Sequence, residues 1–226
     1  MTLRPSIPLY QQRGSVIVTV PGSEPVTAAE LRTHLRVDST ELSDAEANAL
    51  VTESRQMIED ETGLAFISQS WRLSLDRWPG GQEAWWDGVR QMAISELYAP
   101  NYMTSVPLPR WPLASITTVT VFDEDSGSVA VTVADTFDVD IYQVPGRITL
   151  KRGSTWPIAL RANNAIQVVY VSGYANAGAV PATLKRALKQ LAAFLYTNRG
   201  DTCAPAEAVS KSGARDIMNV YRPMRV

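Results

Sequence analysis

Residues 43–63 read SDAEANALVTESRQMIEDETG, and the rest of the chain arranges itself around them. Ser43 followed by Glu46 is a capping box: the serine oxygen accepts a first-turn amide, and the glutamate reaches back to the serine's own N–H. Ala47, Leu50, Val51, Ser54 and Ile58 recur at helical spacing and make one small-to-apolar face. Gly63 suits the left-handed residue that ends a helix. At 1.5 Å rise per residue the rod is about 28 Å long, enough to span a small domain. Asp44 and Glu46 suit its positive end, whereas Glu59, Asp60 and Glu61 crowd its negative end, each unfavourable there by a few tenths to about 1 kcal/mol. Three breaches of a local rule in one turn point to a basic partner, in this chain or another; a solvated, frayed helix end is the alternative.

Upstream, residues 1–23 hold Pro5, Pro8, Pro21 and Gly22 around the apolar run 16–20 and read as an extended arm. Thr27 with Glu30 forms a second capping box, opening a short helix whose Leu31 and Leu35 face the core. Downstream, the period changes. WRLSLDRW (71–78) alternates apolar and polar residues as a strand with one wet face does. Residues 116–121 alternate likewise, and Val129, Val131 and Val133 repeat the pattern after the turn 123–127, which predicts a hairpin. Residues 137–142, 147–150 and 165–171 supply three more candidate strands. All six tryptophans fall between Trp71 and Trp156, which gives the β region an aromatic core of its own. Residues 80–107 carry Trp85, Trp86 and many other apolar residues without a clear period. They read as a long loop, with a helix over 89–98 as an equal alternative; such a loop either contacts a partner or folds over its own core.

Pro181 opens the last strong helix, where its missing amide does no harm. Leu184, Leu188, Leu191 and Leu195, with Ala187 and Ala192, form its buried stripe, and Lys185, Arg186, Lys189 and Arg199 are its charges. It is the natural electrostatic partner of the acidic helix, within or between subunits. Residues 204–213 are small and polar, a spacer before ARDIMNVYRPMRV. That apolar, arginine-rich ending reads as a docking peptide, with packing on its own domain as the alternative. The expected architecture is α+β: an arm at 1–23, a helical body from 24–63 and 181–200, a β-rich insertion at 64–180 with the long loop 80–107, and a C-terminal docking tail at 201–226.

With 226 residues, 45% of them hydrophobic, the chain can bury a real core. A net charge of −2 argues against general nucleic-acid binding by a basic surface. The single cysteine, Cys203, excludes an internal disulfide and fits a reducing compartment. No apolar run is long enough to span a membrane, and the N-terminus lacks a signal-peptide pattern, so a protein made in the cytoplasm is expected. His34 is the only histidine, which nearly excludes histidine triads and multi-histidine metal sites. Cys203 has no patterned partner. Asp123, Asp125 and Gly127 are spaced partly like a calcium loop, but the glycine comes one position early and Ala134 stands where the closing glutamate belongs. There is no phosphate-binding Gly-rich loop, and a carboxylate pair such as Asp138 and Asp140 specifies nothing. No catalytic residue and no cofactor is expected.

EPVTAAELRTHLRVD (24–38), IEDETGLAFISQSWRLSLDRWP (58–79), LPRWPLASITTVTVFDEDSG (108–127), VPGRITLKRGSTWP (144–157) and IQVVYVSGYANAGAVPATLKRAL (166–188) follow one another in order. Together they resemble the head–tail connector (adaptor) family of long-tailed phages and gene transfer agents. The ending VYRPMRV resembles that family's Pro-Tyr-Arg-x-x-Arg terminus, with Val220 in place of the proline. The stretch 80–107 is longer than the family pattern. The resemblance implies a non-enzymatic ring, commonly of twelve subunits, beneath the portal protein of a DNA-filled head. Such a ring extends the DNA channel without gripping DNA specifically and presents a surface for the tail or the next connector. On this reading Arg215, Ile217, Met218, Tyr221, Arg222 and Arg225 dock on the portal. Glu59, Asp60, Glu61, Lys185, Arg186, Lys189, Trp85 and Trp86 lie in subunit contacts. Two rival classes stay open: another virion part such as a stopper or tail-completion protein, and a cytoplasmic α+β enzyme.

Overall fold

The computed structural model describes residues 13–78, 105–151, 154, 158–199 and 204–221. The chain divides into two compact units, one built from Val20–Gln69, Arg110–Pro112 and Ser172–Val226, the other from Met1–Thr19, Ser70–Pro109 and Leu113–Val171. The first unit is helical and the second is β-rich, so the α+β class expected from the sequence is what is seen.

In the helical unit both capping boxes form. Helix α1 (Ala28–Leu35) starts on Thr27, whose Oγ1 accepts the Glu30 N–H while the Glu30 carboxylate accepts the Thr27 N–H. Helix α2 (Asp44–Thr62) starts on Ser43 and Glu46 in the same way, and Gly63 ends it at φ 74°. The buried face of α2 holds Ala47, Val51, Ser54 and Ile58, as the period predicts, but also Arg55 and Glu59. After a 3₁₀ turn at Ala177–Ala179, Pro181 precedes the long basic helix Ala182–Thr197. That helix buries Leu184, Ala187, Leu188, Leu191 and Ala192 against a core shared with Leu31, Val51, Ile58, Phe66 and Trp111. Each fully buried leucine there is worth about 2 kcal/mol of transfer free energy.

The β-rich unit holds two sheets. Strands β1 (Arg13–Thr19), β2 (Gln69–Leu75), β4 (Leu113–Phe122), β5 (Ser128–Val131) and β8 (Ile166–Ser172) form one, in the order β1-β2-β8-β4-β5. Strands β3 (Ser105–Pro107), β6 (Phe137–Asp140) and β7 (Arg147–Leu150) form the other, in the order β3-β7-β6. The β4–β5 hairpin has Val121 opposite Val129 and Val119 opposite Val131. Val133 does not continue β5. It begins a single helical turn, α3 (Val133–Thr136), on which the chain passes from one sheet to the other. Strand β6 stops at Asp140 because that carboxylate accepts the N–H groups of Tyr142 and Gln143 and turns the chain. The core is lined by Leu73, Leu75, Val119, Val121, Ile148, Ile166, Val168 and Tyr170, with Trp78 packed on Phe137 at 5.2 Å between ring centroids.

The described part of the extended arm, β1, adds an edge strand to this chain's own sheet, its backbone pairing with β2 from Arg13 opposite Leu75 to Thr19 opposite Ser70. Two sequence expectations are corrected. The aromatic β core does not include Trp111, which packs in the helical unit and donates its indole N–H to the Thr62 carbonyl. Residues 204–213 are not a spacer but hold a helix over Pro205–Lys211. Trp85, Trp86 and Trp156, with most of 80–107, lie outside the described residues.

Gly173 sits at φ 109° with the Ile67 backbone so close that an added Cβ would fall 2.4 Å from its carbonyl oxygen. Gly173→Ala is expected to cost about 3 kcal/mol, read as a lowered urea midpoint with unchanged slope. The exposed Glu46 carboxyl is held below the ordinary glutamate value of 4.5, chiefly by the Ser43 hydroxyl and amide. A depressed carboxylate contributes stability that is present above its unfolded pKa and is lost as pH falls through the folded one. Glu46→Gln, which keeps the cap but not the charge, should therefore shrink the drop in melting temperature between neutral pH and about pH 3.

Candidate assembly surfaces on the helical unit

The end of α2 has no basic residue in its last turn, and its three carboxylates are answered from elsewhere in the same unit. Glu59 is 5% exposed. Its Oε2 accepts from Arg55 Nη1 at 2.7 Å, and its Oε1 from the Phe66 N–H at 2.9 Å and Gln69 Nε2 at 3.0 Å. Arg55 is held on its other side by Glu24, with Nε at 2.8 Å from the carboxylate, and Thr52 donates to the same carboxylate at 2.9 Å. Arg110 donates to the Glu59 carbonyl and, at 3.1 Å, to Asp60. Arg215 reaches Glu61 through Nε at 2.8 Å and Nη2 at 2.7 Å, and donates to the Ala206 carbonyl at 3.0 Å. Burial pushes the Glu59 carboxyl up, against the pull of Arg55 and the Phe66 amide. Burial works against the charge on Arg55 too, but Glu24 and Glu59 outweigh it and raise its pKa.

The basic partner expected from the sequence is thus met inside the chain, by Arg55, Arg110 and Arg215. Lys185, Arg186 and Lys189, on helix α4 (Ala182–Thr197), make no ion pair with Glu59, Asp60 or Glu61 within the chain. Instead they lie towards α1. The His34 pKa is lowered by partial burial and then by Lys189 and Arg186. Glu30 is lowered first by the Thr27 amide, against burial, with smaller pulls from the Thr27 hydroxyl, Lys185 and Lys189.

The C-terminal segment folds. Helix α5 (Pro205–Lys211) buries Ala208 and Val209, and helix α6 (Ala214–Asn219) buries Ala214 and Met218. Ile217 and Tyr221 pack against the same core, and the Tyr221 and Thr183 hydroxyls are hydrogen-bonded. This corrects the spacer reading. Two of the four buried side chains here are alanines, whose small size lets short helices approach the core without a conspicuous apolar period. Of the expected docking residues, Arg215 and Met218 are therefore engaged in their own unit, Ile217 is half-buried, and Val220 beside Tyr221 is 82% exposed. Arg222, Arg225, Trp85 and Trp86 lie outside the described residues.

Sequence reasoning missed Glu24, Arg55 and Arg110. Arg55 stands four residues before Glu59, a readable helical pair, but the reach of Glu24 and Arg110 depends on the tertiary fold. Among the described residues no group of three His, Cys, Asp or Glu side chains is placed to hold a metal ion, and no helix is long and apolar enough to cross a membrane.

No protein-family model matches the sequence, and no curated protein matches it. Solved structures do share the fold. A chain in the neck of an empty GTA particle, computed with C6 symmetry, superposes with a TM-score of 0.68 at 22% identity, covering 94% of this chain and 97% of that one. A chain of the virion of a native gene transfer agent (GTA) particle gives 0.65 at 22% identity, covering 94% and 96%. A chain in the neck of the native GTA particle, computed with C12 symmetry, gives 0.63 at 22% identity, covering 94% and 97%. At this level of identity the likeness establishes the fold.

Removing one member of a buried ion pair strands the other, so Glu59→Ala should destabilise the protein by about 3 kcal/mol. Asp60→Ala, at an exposed carboxylate, should cost under about 1 kcal/mol. Denaturant titration of both variants measures the contrast, and equal losses would show that the Glu59 cluster does not anchor the helix end.

Proposed function

We propose that this chain is a structural neck protein of a tailed, DNA-filled particle: a head–tail connector (adaptor) that forms a ring beneath the portal protein. The ring extends the DNA channel and gives the next connector, stopper or tail protein its surface. The observation that carries the reading is the near-complete overlap of fold with chains from particle necks. The ordered sequence resemblance to the connector family supports it independently. The neck structures were computed with sixfold and twelvefold symmetry, which supports a ring. A net charge of −2 suits a conduit that lets DNA pass, because few cations are on offer to displace phosphate counterions. The role is structural and uses no catalysis and no cofactor.

Ring contacts on this reading use Lys185, Arg186 and Lys189, while Glu59, Asp60 and Glu61 anchor the helix end from within. Trp85 and Trp86 are assigned to the same contacts on their apolar character alone. The portal is met by the end of the chain. Arg215, Ile217 and Met218 seat the terminal helix, and Tyr221, Arg222 and Arg225 make the contact, the arginines through forked hydrogen bonds to carboxylates or carbonyls. Many copies in a ring then bind as one multivalent unit.

Electron microscopy of the purified protein mixed with portal rings tests the proposal. A second ring stacked on the portal is expected, whereas a ring found only on tail ends would make the protein a stopper or tail-completion component. The double variant Arg222→Ala/Arg225→Ala should melt like the parent yet leave DNA-filled heads tailless. Full complementation by that variant would end the docking assignment.

A further inference from the structure

Resting on the ring reading, we infer that the cationic face shared by α4 and α1 receives the acidic β4–β5 turn of a second copy of this chain. Each contact then joins the helical unit of one subunit to the hairpin tip of its neighbour. Lys185, Arg186 and Lys189 lie within two successive turns of α4, outside its buried stripe of Leu184, Ala187, Leu188 and Leu191. None of the three makes a side-chain hydrogen bond or ion pair among the described residues. The carboxylate that feels two of them, Glu30, is already committed to its cap, accepting the Thr27 N–H at 2.8 Å. The face therefore carries a positive surplus with no acid of its own to spend on it. The acids at the end of α2, the obvious complement on charge, are already held by Arg55, Arg110 and Arg215.

The β4–β5 turn has the opposite surplus. Asp123, Glu124 and Asp125 are consecutive, and Glu124 and Asp125 are exposed with no ion pair among the described residues. The turn is built to hold its shape. Asp123 Oδ1 accepts the Gly127 N–H at 2.6 Å, the Asp123 N–H donates to the Gly127 carbonyl at 3.0 Å, and Ser126 adopts a left-handed φ of 67°. At its base the Arg161 guanidinium stacks 4.3 Å from the centre of the Phe122 ring. A pre-ordered turn loses little conformational entropy when it docks. Other exposed acids, such as Glu53 and Asp135, stand singly. The two patches are different surfaces of one chain, so subunits related by a ring rotation can make the contact head to tail all the way round.

Charge reversal tests this. One variant carries Glu124→Lys and Asp125→Lys, a second carries Lys185→Glu, Arg186→Glu and Lys189→Glu, and a third carries all five. A control with Glu53→Lys and Asp135→Lys has the same net charge as the first. Circular dichroism melts establish that each is folded, and self-association is followed by sedimentation at low salt as well as on portal rings. The first two variants alone should associate about tenfold more weakly than the parent, and the control should not. The five-fold variant, or an equal mixture of the first two, should recover association. If the first variant assembles like the parent, or the folded five-fold variant does not recover, the contact is wrong. If the second variant alone is defective and also loses affinity for duplex DNA that the parent binds, the face serves DNA and the inference fails. Wild-type protein that self-associates in this charge-dependent way but never stacks on portal would overturn the ring-on-portal reading and leave the contact standing.

Discussion

The Glu59 carboxylate accepts from a guanidinium, a backbone amide and a side-chain amide at once, in a place where water does not reach. Those three donors come from α2 itself and from residues 66 and 69, just before the chain becomes β2. One buried charge thereby sets both where the long helix ends and how the following segment leaves it. Such a group is costly to bury, and it is tolerable only because Arg55 is beside it and is itself neutralised by Glu24. Around it, Arg110 and Arg215 place positive charge at the negative end of the helix dipole, which the helix's own sequence leaves unanswered.

What the sequence made legible was whatever is decided within a few residues. Ser43 with Glu46, Thr27 with Glu30, and Gly63 each mark a helix end by local hydrogen bonding, and all three do so in the structure. The alternation at Leu73 and Leu75, and the facing valines of the β4–β5 hairpin, follow from the two-residue period of a strand. The charge conflict at Glu59, Asp60 and Glu61 was also visible, and it correctly announced that cations must come from elsewhere. Which cations was not visible, because Arg110 and Arg215 are brought there by contacts far apart in sequence. Helices α5 and α6 were missed for a different reason: each is short and buries only two side chains, one of them an alanine, which leaves little apolar periodicity to read. Of the candidate assembly surfaces, the basic residues of α4 were legible, but that they make no ion pair among the described residues was a fact of packing.

The division of charge also shapes what the molecule shows to others. Buried or half-buried arginines are consumed in holding the helical unit together, whereas Lys185, Arg186 and Lys189 of α4 and Glu124 and Asp125 of the β4–β5 turn make no ion pair among the described residues. The net charge near zero hides this, since it averages a neutralised interior with a polarised surface. Recognition in such a protein depends on where charge is left over, and hardly on how much there is.

The interleaving of the two units along the chain has a consequence for biosynthesis. The path crosses between them after Thr19, Gln69, Pro109, Pro112 and Val171, so neither unit is a continuous stretch of the sequence. As the polypeptide leaves the ribosome, the first two helices emerge early with Val26, Leu31, Val51 and Ile58 uncovered, and their cover, Leu184, Leu188 and Leu191 and then Val209 and Met218, is made much later. Contacts of such long sequence separation close slowly, because loop entropy must be lost before any burial is gained. The nascent chain therefore carries an unfinished apolar surface until α4 and the helices after it emerge, and the burden of keeping that surface from neighbouring chains falls until then on translation speed and chaperones.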